Sequence, residues 1–222
     1  MKTDLKEIYD LLFETLGPQH WWPAETPFEV IVGAVLVQNT NWQNVRQAID
    51  ALRAEELLDP HKIAELEMET LETLIRPAGY FRIKARRLRA VVDWLIEQCD
   101  GELDELFRRP TAELRKQLLA VHGVGPETAD SILLYAGNLP VFVVDAYTIR
   151  IFTRHGWADA ADTDYHRLQE RIETLLPRDT QLFNEFHAMI VSIGKTYCKK
   201  SSPRCEDCPL RSKLPPGGAI EI

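Results

Sequence analysis

Three short segments carry residue types at spacings that could do chemistry. In "AVHGVGPETAD", residues 120–130, Gly123 and Gly125 flank Val124 and Pro126 follows at once. Glycine lets the backbone approach a ligand and turn its N–H groups outward, and proline suits the first position of a helix, whose N-terminal end is partly positive. A turn of this kind holds a phosphate. In "VFVVDAYT", residues 141–148, an apolar approach ends in Asp145 where a new helix should begin, with Thr148 three residues on. A carboxylate there either caps the helix, contributing roughly 1 kcal/mol, or stabilises positive charge developing on a substrate. In "CKKSSPRCEDC", residues 198–208, Cys198, Cys205 and Cys208 crowd together, which suggests a metal site more than a disulfide framework. Cys99 stands apart and is expected to be a buried thiol.

A fourth group is aromatic. "GPQHWWPAETPFEV" sets Trp21, Trp22 and Pro23 in a short loop between two helices, and Trp42 follows Gln38 in "VQNTNW". Large aromatics fill cores, but aromatic pairs also stack on planar ligands.

Positioning these residues falls to elements that read almost wholly as helix. Apolar periodicity predicts helices near 4–16, 27–37, 41–53, 60–67, 69–75, 81–99, 111–121, 126–137, 145–155, 164–175 and 179–194. Asn41, Asp59 before Pro60, Thr111 after Pro110, and Asp179 serve as starts; Gly17, Gly101, Gly156 and Gly194 serve as stops. Around the glycine turn the helical spacing runs through Leu114, Leu118 and Val121, then Ala129, Ile132, Leu133 and Ala136. The one strand-like run, "VFVVD", is too short and solitary for a sheet. The tail after residue 213, "LPPGGAIEI", is expected to be irregular.

Bulk properties narrow the classes. At 222 residues and 45% hydrophobic, the chain suits one compact domain or two small lobes. Asp4 and Glu7 stand where a signal peptide would be basic then apolar, and no apolar run reaches a membrane span, so we expect a cytoplasmic protein without a membrane partner. The net charge of −8 argues against nucleic acid only as a sum. Its distribution argues otherwise: "RIKARRLR", residues 82–89, has five basic side chains and no acid, and residues 195–213 have six against two acids. Each run is either a solvated face or part of a polyanion site.

With helix, "HGVG" turn and helix followed by an apolar approach to "VD", the sequence resembles the endonuclease III superfamily of DNA glycosylases. The likeness extends over nearly the whole chain, through "VLVQNTNWQNV" near the start and the cysteines near the end. It implies an all-α, two-lobed helix-hairpin-helix glycosylase fold with a C-terminal iron-sulfur type loop. One lobe would be a six-helix body, about 25–137, with the hairpin at 111–137; the other would join 1–24 to 138–222, with a DNA cleft between them. The "WWPA" and "QNTNW" segments look like the 3-methyladenine glycosylase III branch, which implies excision of an alkylated purine.

Residue roles follow from the same resemblance. Asp145 would be the catalytic carboxylate, stabilising the deoxyribose cation and orienting the attacking water. Trp21, Trp22, Pro23, Trp42 and Glu127 would line the base pocket. Gln38 would fill the gap left in the duplex. Gly123, Val124, Gly125, Thr128, Lys195, Lys199, Lys200 and Arg204 would contact DNA. Where lyase members carry a Schiff-base lysine, this chain has Glu127, so a monofunctional, monomeric enzyme acting on double-stranded DNA is expected, with no nucleotide cofactor. The cysteines match the first three positions of Cys-x6-Cys-x2-Cys-x5-Cys, and the fourth falls on Leu214. Three readings stay open: a 4Fe-4S or 3Fe-4S cluster on three cysteines, with an exogenous or carboxylate ligand in the fourth place, a zinc site, or a relict. Alternatives for function are a uracil or thymine mismatch glycosylase and a non-catalytic DNA-binding or redox-sensing module.

Overall fold

A computed structural model describes residues 4–19, 21–159 and 163–221. His20, in the loop quoted above, lies outside them. The described residues are helical, with no strand: α1 Leu5–Leu16, α2 Pro27–Leu36, α3 Trp42–Ala54, α4 Pro60–Glu65, α5 Met68–Leu74, α6 Phe81–Cys99, α7 Leu103–Leu106, α8 Thr111–Ala120, α9 Pro126–Ser131, α10 Ala146–Arg154, α11 Tyr165–Leu175 and α12 Thr180–Thr196. None is long and apolar enough to cross a membrane. The chain divides into two compact units, Trp22–Leu139 and Met1–Trp21 with Pro140–Ile222.

In the unit 22–139, α2 is the hub. Every residue from Phe28 to Leu36 is buried, and α2 packs against α3, α6, α9 and the turn after it. A helix buried all round has no solvent face, so its neighbours cover it, and Arg53 of α3 pairs with its one charged residue, Glu29, at 2.6 Å. Thr26 caps it and Pro27 starts it. The helix expected over 126–137 is α9 followed by a π-helical turn, Ile132–Ala136, closed by Gly137 N–H donating to Ile132 O at 3.0 Å. Such turns insert one residue and re-aim the side chains after it. The four-residue α7 has too few positions to show a period and was not foreseen. At α8, Pro110 is the N-cap and Thr111 the first helical residue, so Thr111 makes no cap bond.

In the other unit α12 is the hub, packed by α1 and α10 over Phe142, Phe183 and Phe186. Gly194 does not stop α12, which runs on to Thr196. Its lack of a side chain serves packing instead, since a Cβ there would lie 2.3 Å from the Tyr147 ring of α10. The strand-like run is extended and buried at Val141–Val144, yet pairs with no strand. Side chains of α11 take its backbone groups: Phe142 N–H donates to Glu173 (2.7 Å), Gln169 donates to Phe142 O (2.6 Å), and Val144 N–H donates to the Tyr165 hydroxyl (3.3 Å). That satisfies a buried backbone without a sheet and delivers Asp145 to the start of α10.

Candidate active site and cysteine loop

Asp145 is the N-cap of α10. Its Oδ1 accepts hydrogen bonds from Thr148 N (2.7 Å) and Thr148 Oγ1 (2.9 Å), and its own N–H reaches back to Thr148 Oγ1 at 3.4 Å. Because α10 packs on α12, His187 Nε2 stands 3.6 Å from Oδ2, too far for a hydrogen bond but close enough for charge attraction. Burial pushes the Asp145 carboxyl up, but His187 and the Thr148 bonds outweigh it and hold the group below its ordinary value. The result is an anion in a dry setting. Oδ1 is committed to Thr148, so Oδ2 is the oxygen able to face a developing cation or a water. His187 escaped the sequence reading because a lone histidine in an apolar helix has no spacing that ties it to Asp145. Trp21 belongs to this unit: its ring meets His187 edge-on at 6.4 Å, with Lys195 Nζ 5.3 Å from its centroid.

The hairpin turn lies in the other unit. Gly123 has φ +84, and a Cβ on it would sit 2.2 Å from Arg87 Cγ. Gly125 differs: it is the extended N-cap of α9 with no side-chain cap bond, and nothing stands within 4 Å of where its Cβ would be. Chain geometry requires the first glycine; at the second, no side chain caps the start of α9 and the space around its Cα is open. Arg115 and Asp130 brace α8 to α9 through bonds of 2.7 and 2.9 Å. Glu127 is exposed in the first turn of α9. Gln38 Nε2 donates to Gly123 O (3.1 Å) and Thr128 Oγ1 (2.9 Å), and its Oε1 accepts from Arg87. It therefore ties the loop after α2 to the hairpin, and entering a duplex would require all three bonds to open.

The basic run 82–89 is only in part a solvated stretch: Lys84 is buried and Arg87 and Arg89 are half-buried. Lys84 is 2% exposed and donates to Leu36 O and Ala78 O, both at 2.7 Å. Burial, aided by the Arg87 charge, pushes its amine down to about 8. Arg89 donates to Ile63 O (2.9 Å) and Leu66 O (2.5 Å). Arg82 and Arg86 are the exposed members. Helical spacing placed these five side chains on several faces, so charge alone did not reveal their surroundings.

Trp22 and Trp42 come together in the unit 22–139, with Tyr135 as a third ring that the sequence did not suggest. Trp22, at φ 69, stacks on Tyr135 at 4.8 Å and 27° and meets Trp42 at 5.3 Å and 69°. Two indoles meeting edge to face at that distance leave no parallel slot between them. Gly33 of α2 makes room for them: a Cβ would lie 3.2 Å from Trp42 Cη2 and 3.4 Å from Trp22 Cζ2. The indole N–H groups of Trp21, Trp22 and Trp42 are buried without a hydrogen-bond partner among the described residues. Pro23 is exposed.

At the far end of α10, Cys198, Cys205 and Cys208 line one cavity, together with Leu214. Two arginines a turn apart on α10 hold this loop. Arg150 donates to Cys198 O (2.6 Å) and Gly194 O (3.3 Å); Arg154 donates to Lys199 O (2.5 Å), Lys200 O (2.8 Å) and Cys198 Sγ (3.4 Å). Lys195, Lys199, Lys200 and Arg204 are exposed, Arg204 being paired with Asp207 at 2.9 Å. Cys198, Cys205 and Cys208 offer thiols, the donors that an iron-sulfur cluster or zinc takes, and among the described residues no three His, Cys, Asp or Glu side chains are drawn together as around a bound ion. Cys99 lies in the other unit, half-buried rather than buried, donating to Leu95 O at 3.1 Å.

Comparison with known proteins agrees with this geometry. Residues 32–178 match the model of the HhH-GPD superfamily base excision DNA repair proteins. A candidate DNA repair glycosylase of Methanocaldococcus jannaschii is 44% identical over 92% of this chain and 93% of its own. The endonuclease III of Thermotoga maritima is 30% identical over 84% and 81%. Among solved structures, a non-covalent endonuclease III–DNA complex superposes with a TM-score of 0.82 at 25% identity, covering 98% of this chain and 96% of that one. The Helicobacter pylori 3-methyladenine DNA glycosylase bound to 1,N6-ethenoadenine does so at 0.74 and 29%, covering 87% and 98%. The chain thus has an endonuclease III-like fold and belongs to the HhH-GPD superfamily of base-excision DNA repair glycosylases.

Proposed function

We propose that this glycosylase is monofunctional and hydrolyses the N-glycosidic bond of an alkylated purine flipped out of double-stranded DNA. The observation that carries the proposal is the nearly dry carboxylate of Asp145, held below its ordinary value, whose Oδ1 is bonded to Thr148 and whose Oδ2 lies 3.6 Å from His187 Nε2. An anion so held stabilises the oxocarbenium-like sugar and orients the attacking water. The first turn of α9 carries Glu127, which forms no imine, so the position just past the glycine turn supplies no nucleophilic amine. Support for a purine comes from the Trp22–Trp42–Tyr135 cluster with its unsatisfied indole donors, and from likeness to the Helicobacter pylori enzyme. Since Trp22 and Trp42 touch, base entry requires one ring to swing aside, and the base then supplies an acceptor for the indole N–H. The uncapped start of α9 at Gly125 and the exposed lysines and Arg204 of the cysteine loop would hold phosphates. A 4Fe-4S cluster on Cys198, Cys205 and Cys208 would fix that loop onto α10 and so support the helix that begins at Asp145.

A panel of duplexes with single 3-methyladenine, hypoxanthine, uracil or mismatched thymine tests the reading. Alkylpurine release leaving an intact, alkali-labile abasic strand is expected, with no protein–DNA adduct after borohydride. Release of uracil or thymine alone replaces the substrate with a mismatch, and an adduct at lyase levels shows that another amine attacks.

A further inference from the structure

Leu214 stands where the cysteine series would place its fourth thiol, and a four-iron cluster needs a fourth donor. We propose that His155 supplies it through Nε2, making a three-cysteine, one-histidine cluster site; this rests on the cluster reading above. His155, the C-cap residue just after α10, is 7% exposed and lines the same cavity as Cys198, Cys205, Cys208 and Leu214. Its Nδ1 lies 2.8 Å from Ile151 O. A carbonyl has no hydrogen to give, so Nδ1 carries the proton and Nε2 is the other valence of the ring. Nε2 is buried without a well-formed hydrogen bond, and the Leu210 carbonyl faces the ring.

Buried polar atoms are normally satisfied, and an imidazole bound to metal typically donates its other nitrogen to a backbone carbonyl. His155 also packs on Trp157 at 4.4 Å and 33°, as a core histidine would. That contact accounts for the ring and leaves the orphan nitrogen unexplained. The rest of the cavity wall has no comparable donor. Arg154 and Arg211 are cations, Ala219 is apolar, and Tyr197 keeps its ring beneath the Arg204 guanidinium at 5.8 Å. Replacing one thiolate by a neutral imidazole removes one negative charge and makes a cluster easier to reduce.

The test uses the full chain purified and reconstituted anaerobically, with iron and sulfide analysis and pulsed EPR of the reduced protein labelled with 15N-histidine. About four irons per chain and a hyperfine coupling that changes with the label are expected. His155→Ala should lose the coupling and at least one iron. His155→Ala with Leu214→Cys should regain the irons without the coupling, at a more negative reduction potential. If His155→Ala fails to fold, the labelled wild-type spectrum decides. Full iron with no histidine coupling overturns the ligand assignment and leaves the cluster reading standing. Wild-type protein that takes up no iron and sulfide overturns both.

Discussion

Two helices in this chain begin after an irregular stretch, and they use the same partial positive charge in opposite ways. At α9 the N-cap is Gly125, no side chain caps the turn, and the space where a Cβ would stand is empty. At α10 the N-cap is Asp145, locked by Thr148 in a reciprocal pair of bonds. One terminus is left without a side-chain cap; the other holds an anion of its own. The difference teaches that a helix start recruits or retains charge according to a single residue. Under the proposed function the two starts would take two tasks: backbone recognition with no residue-specific contact, and charge stabilisation by one carboxylate.

The largest expected effect breaks the second task alone. Asparagine caps a helix nearly as well as aspartate, so Asp145→Asn should keep the melting temperature and duplex affinity while lowering single-turnover excision by about 100- to 1,000-fold. Turnover near wild type would return Asp145 to a purely structural cap. Next, Trp22→Ala or Trp42→Ala should cost about 1–3 kcal/mol in binding a duplex with a flipped alkylpurine. Equal affinities for both variants and wild type would make the cluster a packing feature.

The two hairpin glycines sharpen the comparison. Gly123→Ala forces a side chain into a left-handed conformation and against Arg87, so it should lose about 1–3 kcal/mol in chemical denaturation. Gly125→Val fits the extended backbone but is a poorer N-cap, so it should lose only about 1 kcal/mol of stability. It should also weaken binding to every duplex alike and flatten the salt dependence. Loss confined to one sequence would contradict backbone recognition.

The smallest effect concerns pH. Asp145 is depressed in the folded chain, so its stabilising contribution is full above the ordinary aspartate value and is lost as pH falls through the lower, folded one. The acid limb of kcat/KM should follow the same group. His187→Gln removes a stabilising charge, so that limb should move to higher pH. An unmoved limb in this variant would show that Thr148 alone sets the carboxylate.

Local rules made much of this legible from the sequence. Helix periodicity, the caps at Asn41, Asp59 and Asp179, the GVG turn and the aspartate at the start of α10 each depend on residues within a few positions of one another, where sequence separation equals spatial separation. The tertiary structure alone decided the partners. It set His187 beside Asp145, Tyr135 beneath Trp22, Arg87 between Gln38 and Gly123, and His155 on the cysteine cavity. It also turned Lys84 and Arg89 inward to cap carbonyls, where their charge alone suggested a surface. Each of these pairings joins residues far apart in the chain, and only the packing of the elements fixes which distant side chains share one desolvated space.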